Sequence, residues 1–162
     1  MRALFTPWRM AYLSAHKTAG CVFCEAQKGD RRAALVVHEG IEAFVLLNRF
    51  PYTNGHLMVA PRAHGGDLGA LSPETRAELM DLLVLARGVL DRAYRPGGYN
   101  IGMNLGACAG AGIADHVHAH IVPRWEGDTN YMTVLNETRM IPEALEVSWE
   151  RLSALFREAA GE

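Results

Sequence analysis

The sequence predicts an α+β domain: a mainly antiparallel five-stranded sheet packed with one long helix and followed by a C-terminal helix. Three observations carry this. Short apolar runs are punctuated by Gly, Pro and Asn-Gly turns, one long stretch has helical periodicity, and strands do not alternate with helices as a parallel sheet would require. With 162 residues the chain is read as a single domain, 1–162, large enough for a real core. Within it residues 1–20 form an N-terminal arm, 21–130 the core, and 131–162 a tail and helix.

The arm carries Phe5, Trp8, Met10, Tyr12 and Leu13, aromatic and apolar anchors that suit packing on the body or on a second subunit. Cys21-Val22-Phe23-Cys24 follows, then a polar stretch to Asp30. Residues 34–38 and 43–47 read as two strands around Glu39-Gly40. The second strand runs into Asn48-Arg49-Phe50-Pro51-Tyr52-Thr53-Asn54-Gly55, whose Pro and Asn-Gly mark a connection. A third strand covers 57–60. Ser72 as N-cap and Pro73 at the first helical position start the long helix. Leu79, Leu82, Leu83, Ala86, Val89 or Leu90 and Ala93 then recur at helical spacing, up to the stop at Pro96-Gly97-Gly98. A fourth strand spans 99–105, and a small-residue loop, 106–112, leads to the fifth. The last helix is expected over about 142–159, with Leu145, Trp149, Leu152 and Phe156 on one side.

The fifth strand carries the chemistry: His116-Val117-His118-Ala119-His120. In a strand, side chains at i, i+2 and i+4 share one face at intervals of about 6.5–7 Å, so three imidazoles form a row while Val117, Ala119 and Ile121 face the core. In a helix they would fan apart. A lone histidine is usually a satisfied structural residue, but imidazole is a poor apolar filler, so three in alternation point to a metal cluster or to an acid–base and nucleophile array. The preceding loop contains Gly106, Gly110 and Gly112, entered by Asn104, and glycine lets backbone N–H groups approach an anion closely. A plain tight connection would look the same. Cys21-x-x-Cys24 reads either as a redox pair or as half of a zinc site that needs two more ligands.

The formal net charge of −2 gives no electrostatic footprint for nucleic acid. No apolar run approaches the roughly 20 residues of a membrane span. The N-terminus lacks a signal-peptide stretch, and three cysteines suit a reducing compartment. The expectation is a cytoplasmic protein without a membrane or nucleic-acid partner.

Three motifs in order, Asn48-Arg49-x-Pro51-x-x-x-Gly55-His56, Asn104-x-Gly106-x-x-Ala109-Gly110 and His116-x-His118-x-His120-Ile121-Val122-Pro123-Arg124, together resemble the histidine triad (HIT) superfamily over roughly residues 21–130. The arm Thr6-Pro7-Trp8-Arg9-Met10 and the exit Pro123-Arg124-Trp125-Glu126-Gly127-Asp128 are similar to bacterial members related to diadenosine tetraphosphate phosphorylases and hydrolases. The resemblance implies a HIT-like fold, usually a homodimer. It also implies a nucleotidyl hydrolase or transferase acting on dinucleoside polyphosphates, with adenine the expected base, or on related nucleotide conjugates. By motif position His118 is the nucleophile at the α-phosphate and His120 its neighbour. Asn48 contacts the ribose, and Asn104, Gly106, Gly110, Ala111 and Gly112 lie at the phosphates. Trp125 suits stacking on a base or packing. Phosphate in place of water would make the reaction a phosphorolysis, and a zinc-stabilised nucleotide-binding module is the non-catalytic alternative. Some bacterial members hold structural Zn2+ on a Cys pair, a His after the third strand and the first triad His, which maps onto Cys21, Cys24, His64 and His116. A catalytic zinc on all three triad histidines would leave the Cys pair without a role. Many members carry Gln and Ser or Thr after the Ala-Gly of the loop. Here Ala111 and Gly112 stand there, and the loop is one residue longer, so phosphate contacts fall to the backbone and the histidines. Cys108 is expected to be a small filler.

Overall fold

The computed structural model describes residues 20–128 and 141–161. Residues 1–19 and 129–140, and with them the arm expected at 1–20, lie largely or wholly outside the described residues. The described elements are α1 (Val22–Ala26), β1 (Val36–Glu39), β2 (Ala43–Leu47), β3 (Leu57–Pro61), α2 (Pro73–Tyr94), β4 (Gly98–Met103), β5 (Ala119–Arg124) and α3 (Leu145–Ala160). The strands form one sheet in the order β1-β2-β3-β5-β4, antiparallel at every pairing.

The sheet has two unequal faces. Val37, Val45, Leu47, Leu57, Val59, Ala119 and Ile121 turn toward α2 and α3, where they meet Leu79, Leu82, Leu83, Ala86, Val89, Leu90, Leu152 and Phe156. Val36, Phe44, Leu46 and Ala60 turn the other way, onto Phe23 and Ala26 of α1. All five residues of β2 are therefore buried, and its continuous apolar run is that of a strand covered on both sides. Among the described residues, α1 together with Ala34 and Ile113 packs on the second face, the side on which the histidines lie.

Helix α2 begins as its sequence predicts: Ser72 Oγ accepts the Thr75 N–H at 3.0 Å and Pro73 occupies the first turn. It ends with Arg95 in the left-handed region (φ +48°), next to Pro96.

Several boundaries differ from the sequence reading. Strand β1 starts at Val36, not 34, because residues 30–35 close a helical turn: Ala34 N–H reaches Asp30 O, Val36 N–H reaches Arg31 O, and Leu35 adopts φ +62°. Strand β4 covers Gly98–Met103, because its ladder with β5 ends at Met103↔Ala119. Helix α3 runs Leu145–Ala160. Strand β5 starts at Ala119, so His116 and His118 precede it. Upstream of Ala119 the backbone leaves the ladder, and Val117 N–H donates to Gly65 O at 2.7 Å in the connection after β3. The alternation of facing survives this: Val117, Ala119 and Ile121 are in the larger core, and the histidines are on the other side.

Candidate active site and metal centre

The three histidines occupy different surroundings. His116 is fully buried and His118 is 5% exposed, whereas His120 is half-buried. Phe23, brought by α1, packs on the first two, with ring centroids 5.1 Å from His116 and 4.7 Å from His118. His118 and His120 meet edge to face at 4.9 Å. The sequence reading did not single out Phe23; its only cue was its place between the two cysteines.

His118 Nδ1 lies 2.8 Å from the His116 carbonyl oxygen. A carbonyl only accepts, so Nδ1 carries the proton and Nε2 keeps a bare lone pair. Burial pulls the His118 pKa below its usual value, against the opposing pull of the His116 carbonyl. The ring is thus a neutral base near pH 7, with its nucleophilic nitrogen opposite its anchor.

The proton on His120 is assigned by a longer relay. The Tyr52 backbone N–H donates to His56 Nδ1 at 3.1 Å. Neutral His56 therefore carries its proton on Nε2, which donates to His120 Nδ1 at 2.9 Å. His120 then presents Nε2–H as a donor. Burial, and next the neighbouring His118, push its pKa down to about 4, so it is neutral near pH 7. His56 is fully buried, and the sequence reading quoted it in a motif without giving it a role. Its signal was that motif position, adjacent to Gly55 and Asn48.

Asn48 closes the same loop. Its N–H donates to His56 O at 2.9 Å, its Oδ1 accepts the Phe50 N–H at 2.9 Å, and its Nδ2 lies 3.5 Å from His56 Nδ1. Asn48 thus shapes the turn after β2 and lies beside His56 at the same time. The Tyr52 ring stacks toward His56 and His120, with centroids 4.6 Å and 6.2 Å away. Trp125 lies at the far end of β5, five residues past His120, or roughly 16 Å of extended chain. Its backbone closes a turn with Asp128.

The glycine-rich loop contains a short turn, Ala107–Ala109, between Gly106 (φ +83°) and Gly110 (φ +85°), both in conformations that favour glycine. The N–H groups of Ala109, Gly110 and Ala111 close bonds inside the loop, to Gly106 O or Ala107 O. Asn104 Nδ2 donates to Gly110 O at 3.4 Å and ties the loop entry to its exit. Among the described residues the N–H groups of Gly106, Ala107, Cys108 and Gly112 have no such internal partner, so they are the loop donors left for an anion. Cys108 is exposed rather than a buried filler, because its turn projects from the sheet.

On the other side of His116 a second cluster forms. One donor atom from each of Cys21, Cys24, His64 and His116 lies within 4.8 Å of the others. His116 Nδ1 is 3.3 Å from Cys21 Sγ and 3.7 Å from Cys24 Sγ, and His64 Nδ1 is 3.4 Å from Cys24 Sγ. A tetrahedral zinc with ordinary Zn–S and Zn–N lengths would separate its ligands by roughly 3.3–3.8 Å, which these three pairs match, and the widest separation in the cluster, within 4.8 Å, closes with about an ångström of side-chain adjustment. His116 Nε2 donates to Pro61 O at 2.8 Å, which aims Nδ1 at the sulfurs. The four residues can hold a metal ion.

Residues 31–127 match the HIT domain family. The chain is 36% identical over 154 residues to the AP-4-A phosphorylase of Mycobacterium tuberculosis (strain ATCC 25618 / H37Rv), covering 90% of this chain and 79% of that protein. It is 34% identical over 104 residues to adenosine 5'-monophosphoramidase hnt1 of Schizosaccharomyces pombe, covering 64% of this chain and 74% of that one. A Zn-bound histidine triad family protein from Mycobacterium smegmatis superposes with a TM-score of 0.67 at 26% identity, covering 88% of this chain and 96% of that chain. With its sheet order, its histidine row and these matches, the chain belongs to the HIT domain family.

Proposed function

We propose that this protein is a nucleotidyl hydrolase or transferase that cleaves dinucleoside polyphosphates, or related nucleotide conjugates, at the α-phosphate. The observation that carries the reading is the pair of proton assignments: His118 Nε2 is bare and His120 Nε2 is protonated. In the first step His118 Nε2 forms a bond to the α-phosphorus, and the bond from that phosphorus to the bridging oxygen breaks. The leaving polyphosphate takes the electron pair. His120 Nε2–H and the free loop N–H groups stabilise the charge that develops on oxygen. In the second step the oxygen of water or phosphate bonds to the phosphorus, the P–N bond breaks with its electron pair returning to His118 Nε2, an attacking water releases its surplus proton to solvent, and His118, its Nδ1–H still on the His116 carbonyl, returns to its starting state. Asn48, Asn104, Gly106, Gly110, Ala111, Gly112 and Trp125 are assigned to nucleotide binding.

Water as acceptor gives hydrolysis. The 36% identity to an AP-4-A phosphorylase favours a second reading in which inorganic phosphate is the acceptor. Incubation with diadenosine tetraphosphate, with and without phosphate, separates them: ADP plus ATP only with phosphate means phosphorolysis, whereas AMP plus ATP means hydrolysis. A His118→Ala variant with full activity would refute the nucleophile assignment.

In this reading the four-ligand cluster holds structural Zn2+. It braces the approach to β5 and leaves His118 and His120 metal-free. The reading takes 21–130 as the catalytic core, with 1–20 an arm and 131–162 a tail and helix, in a cytoplasm reducing enough to keep the thiols available.

The protein is further read as a homodimer. Among the described residues strand β4 is a sheet edge with no strand on its outer side, and Ile101 on it is 50% exposed. Tyr99, on the same face of β4, donates from its hydroxyl to Asp91 of α2 at 2.7 Å. Asp91, Arg87, Val84 and Met80 form one stripe of that helix, and Val84 and Met80 are exposed. An open edge beside an apolar helix stripe suits a second copy of this chain. Sedimentation of a Val84→Glu variant as a monomer, beside a wild-type dimer, would support this interface; a wild-type monomer would refute it.

A further inference from the structure

The loop at residues 48–56 is backed by a network reaching it from the C-terminal segment. Tyr94, the last residue of α2, lies against Gly55. A Cβ at that position would sit 2.9 Å from Tyr94 Cε2 and 3.1 Å from Leu90 Cδ2, and φ there is +72°. Only glycine meets both conditions. The Tyr94 ring therefore sets the height of the backbone one residue before His56.

The ring is in turn held by Glu143. Tyr94 Oη donates to Glu143 Oε2 at 2.7 Å, and Ser148 Oγ donates to the same oxygen at 2.8 Å. Arg151 Nη2 lies 2.8 Å from Glu143 Oε1, with its guanidinium 5.4 Å over the Tyr94 ring. Burial alone would raise the Glu143 pKa, but Tyr94, Ser148 and Arg151 outweigh it and hold the carboxyl below its usual value. Burial first pushes the Tyr94 hydroxyl up to about 12, so it stays protonated as a donor. Thr53 Oγ1 pins the same loop to β5 through Pro123 O at 2.9 Å. One carboxylate thus reaches the loop through the Tyr94 ring at Gly55, the residue before His56. Glu143 also lies beyond the stretch that matches the family, residues 31–127.

We propose that Glu143 is a positioning residue for the histidine site: acting through the Tyr94 ring against Gly55, it holds Asn48 and His56 in register with the nucleotide and His120. The C-terminal segment is then part of the support of the active site, not only a cover for the larger core. This rests on the nucleotidyl-transfer reading for its kinetic consequence, but not for its structural one.

The test compares Glu143→Gln, Tyr94→Phe and the double variant by steady-state kinetics on diadenosine tetraphosphate, thermal melting, and imidazole 15N NMR. Tyr94→Phe removes only the hydroxyl that Glu143 holds, keeping the ring against Gly55 and the Ser148 and Arg151 contacts of Glu143, so it remains informative if Glu143→Gln fails to fold. Each single variant is expected to raise KM about tenfold, the scale on which displaced binding groups act, with the double variant no worse than Glu143→Gln alone. The His120 15N shifts should move from one tautomer toward a mixture. Wild-type kinetics together with wild-type His120 shifts in Tyr94→Phe would overturn the proposal, whatever the change in melting temperature. If the wild-type protein cleaves no dinucleotide, the functional reading fails, and the His120 shifts alone decide this one.

Discussion

His56 Nε2 stands 2.9 Å from His120 Nδ1, and the Tyr52 N–H occupies the opposite nitrogen of His56. A backbone amide three hydrogen-bonding atoms away thereby dictates which nitrogen of His120 carries its proton. The relay uses only neutral groups, so it needs no buried charge and no counter-ion.

Replacing His56 with Leu removes the donor to His120 while keeping an apolar side chain in a buried position. His120 can then place its proton on Nδ1 and lose its outward donor. The expected result is a fall in kcat of about 10²-fold, comparable to loss of one preorganised oxyanion donor. Binding of a non-cleavable dinucleotide should change far less. Steady-state kinetics and equilibrium binding on the same preparation check both halves.

The depressed histidines tie stability to pH. The His120 pKa is pushed down to about 4, by burial first and then by His118, against an ordinary value of 6.5. Between those values the unfolded chain binds more protons than the folded one, so stability rises with pH across that window. It is full above about pH 6.5 and is lost as pH falls toward 4. Urea unfolding at several pH values should show midpoints falling from pH 7 to pH 4.5. A His120→Gln variant should show a shallower decline over the same window.

The cysteine pair gives a prediction about metal rather than catalysis. Protein purified without chelator should carry stoichiometric zinc, and Cys24→Ser should abolish it and lower the melting temperature, because structural zinc contributes directly to folding free energy. His118 and His120 are not donors of the cluster, so a chelator-resistant wild type that is inactive would not bear on the site's metal. Elemental analysis of both proteins decides the point.

Much of this was legible in the sequence, for identifiable reasons. Alternation in His116–His120 showed which side chains share a face, because Val117, Ala119 and Ile121 had to enter a core. Ser72 and Pro73 announced α2 through local chemistry alone. The start of β5 was not legible. Hydrogen bonding there is decided by Gly65, a residue 52 positions before Val117, and no local pattern reveals a ladder that ends. The part played by His56 was hidden for the same reason: a single histidine after a turn looks structural until its partner across the sheet is known. Likewise the loop glycines suggested open N–H groups, but Ala109, Gly110 and Ala111 spend theirs internally.

Gly66 shows such a hidden constraint most directly and yields the last prediction. A Cβ on it would lie 2.5 Å from the Ala114 carbonyl oxygen, a backbone atom that cannot swing aside as a side chain can. Its neighbour Gly65 receives the Val117 N–H, so the 64–66 connection and the 114–117 approach are held together backbone to backbone. His64 and His116 flank that contact, one on each segment. In Gly66→Ala the two segments must separate by several tenths of an ångström or more, which spreads the His64 and His116 donors and strains the entry to β5. The expected cost is about 1–3 kcal/mol of stability, as for other overpacked interior positions. Zinc affinity should weaken in the same variant, whereas Gly65→Ala, where a Cβ meets nothing within 4 Å, should retain both. Urea unfolding with zinc competition on the two variants separates a local steric effect from a general intolerance of the connection.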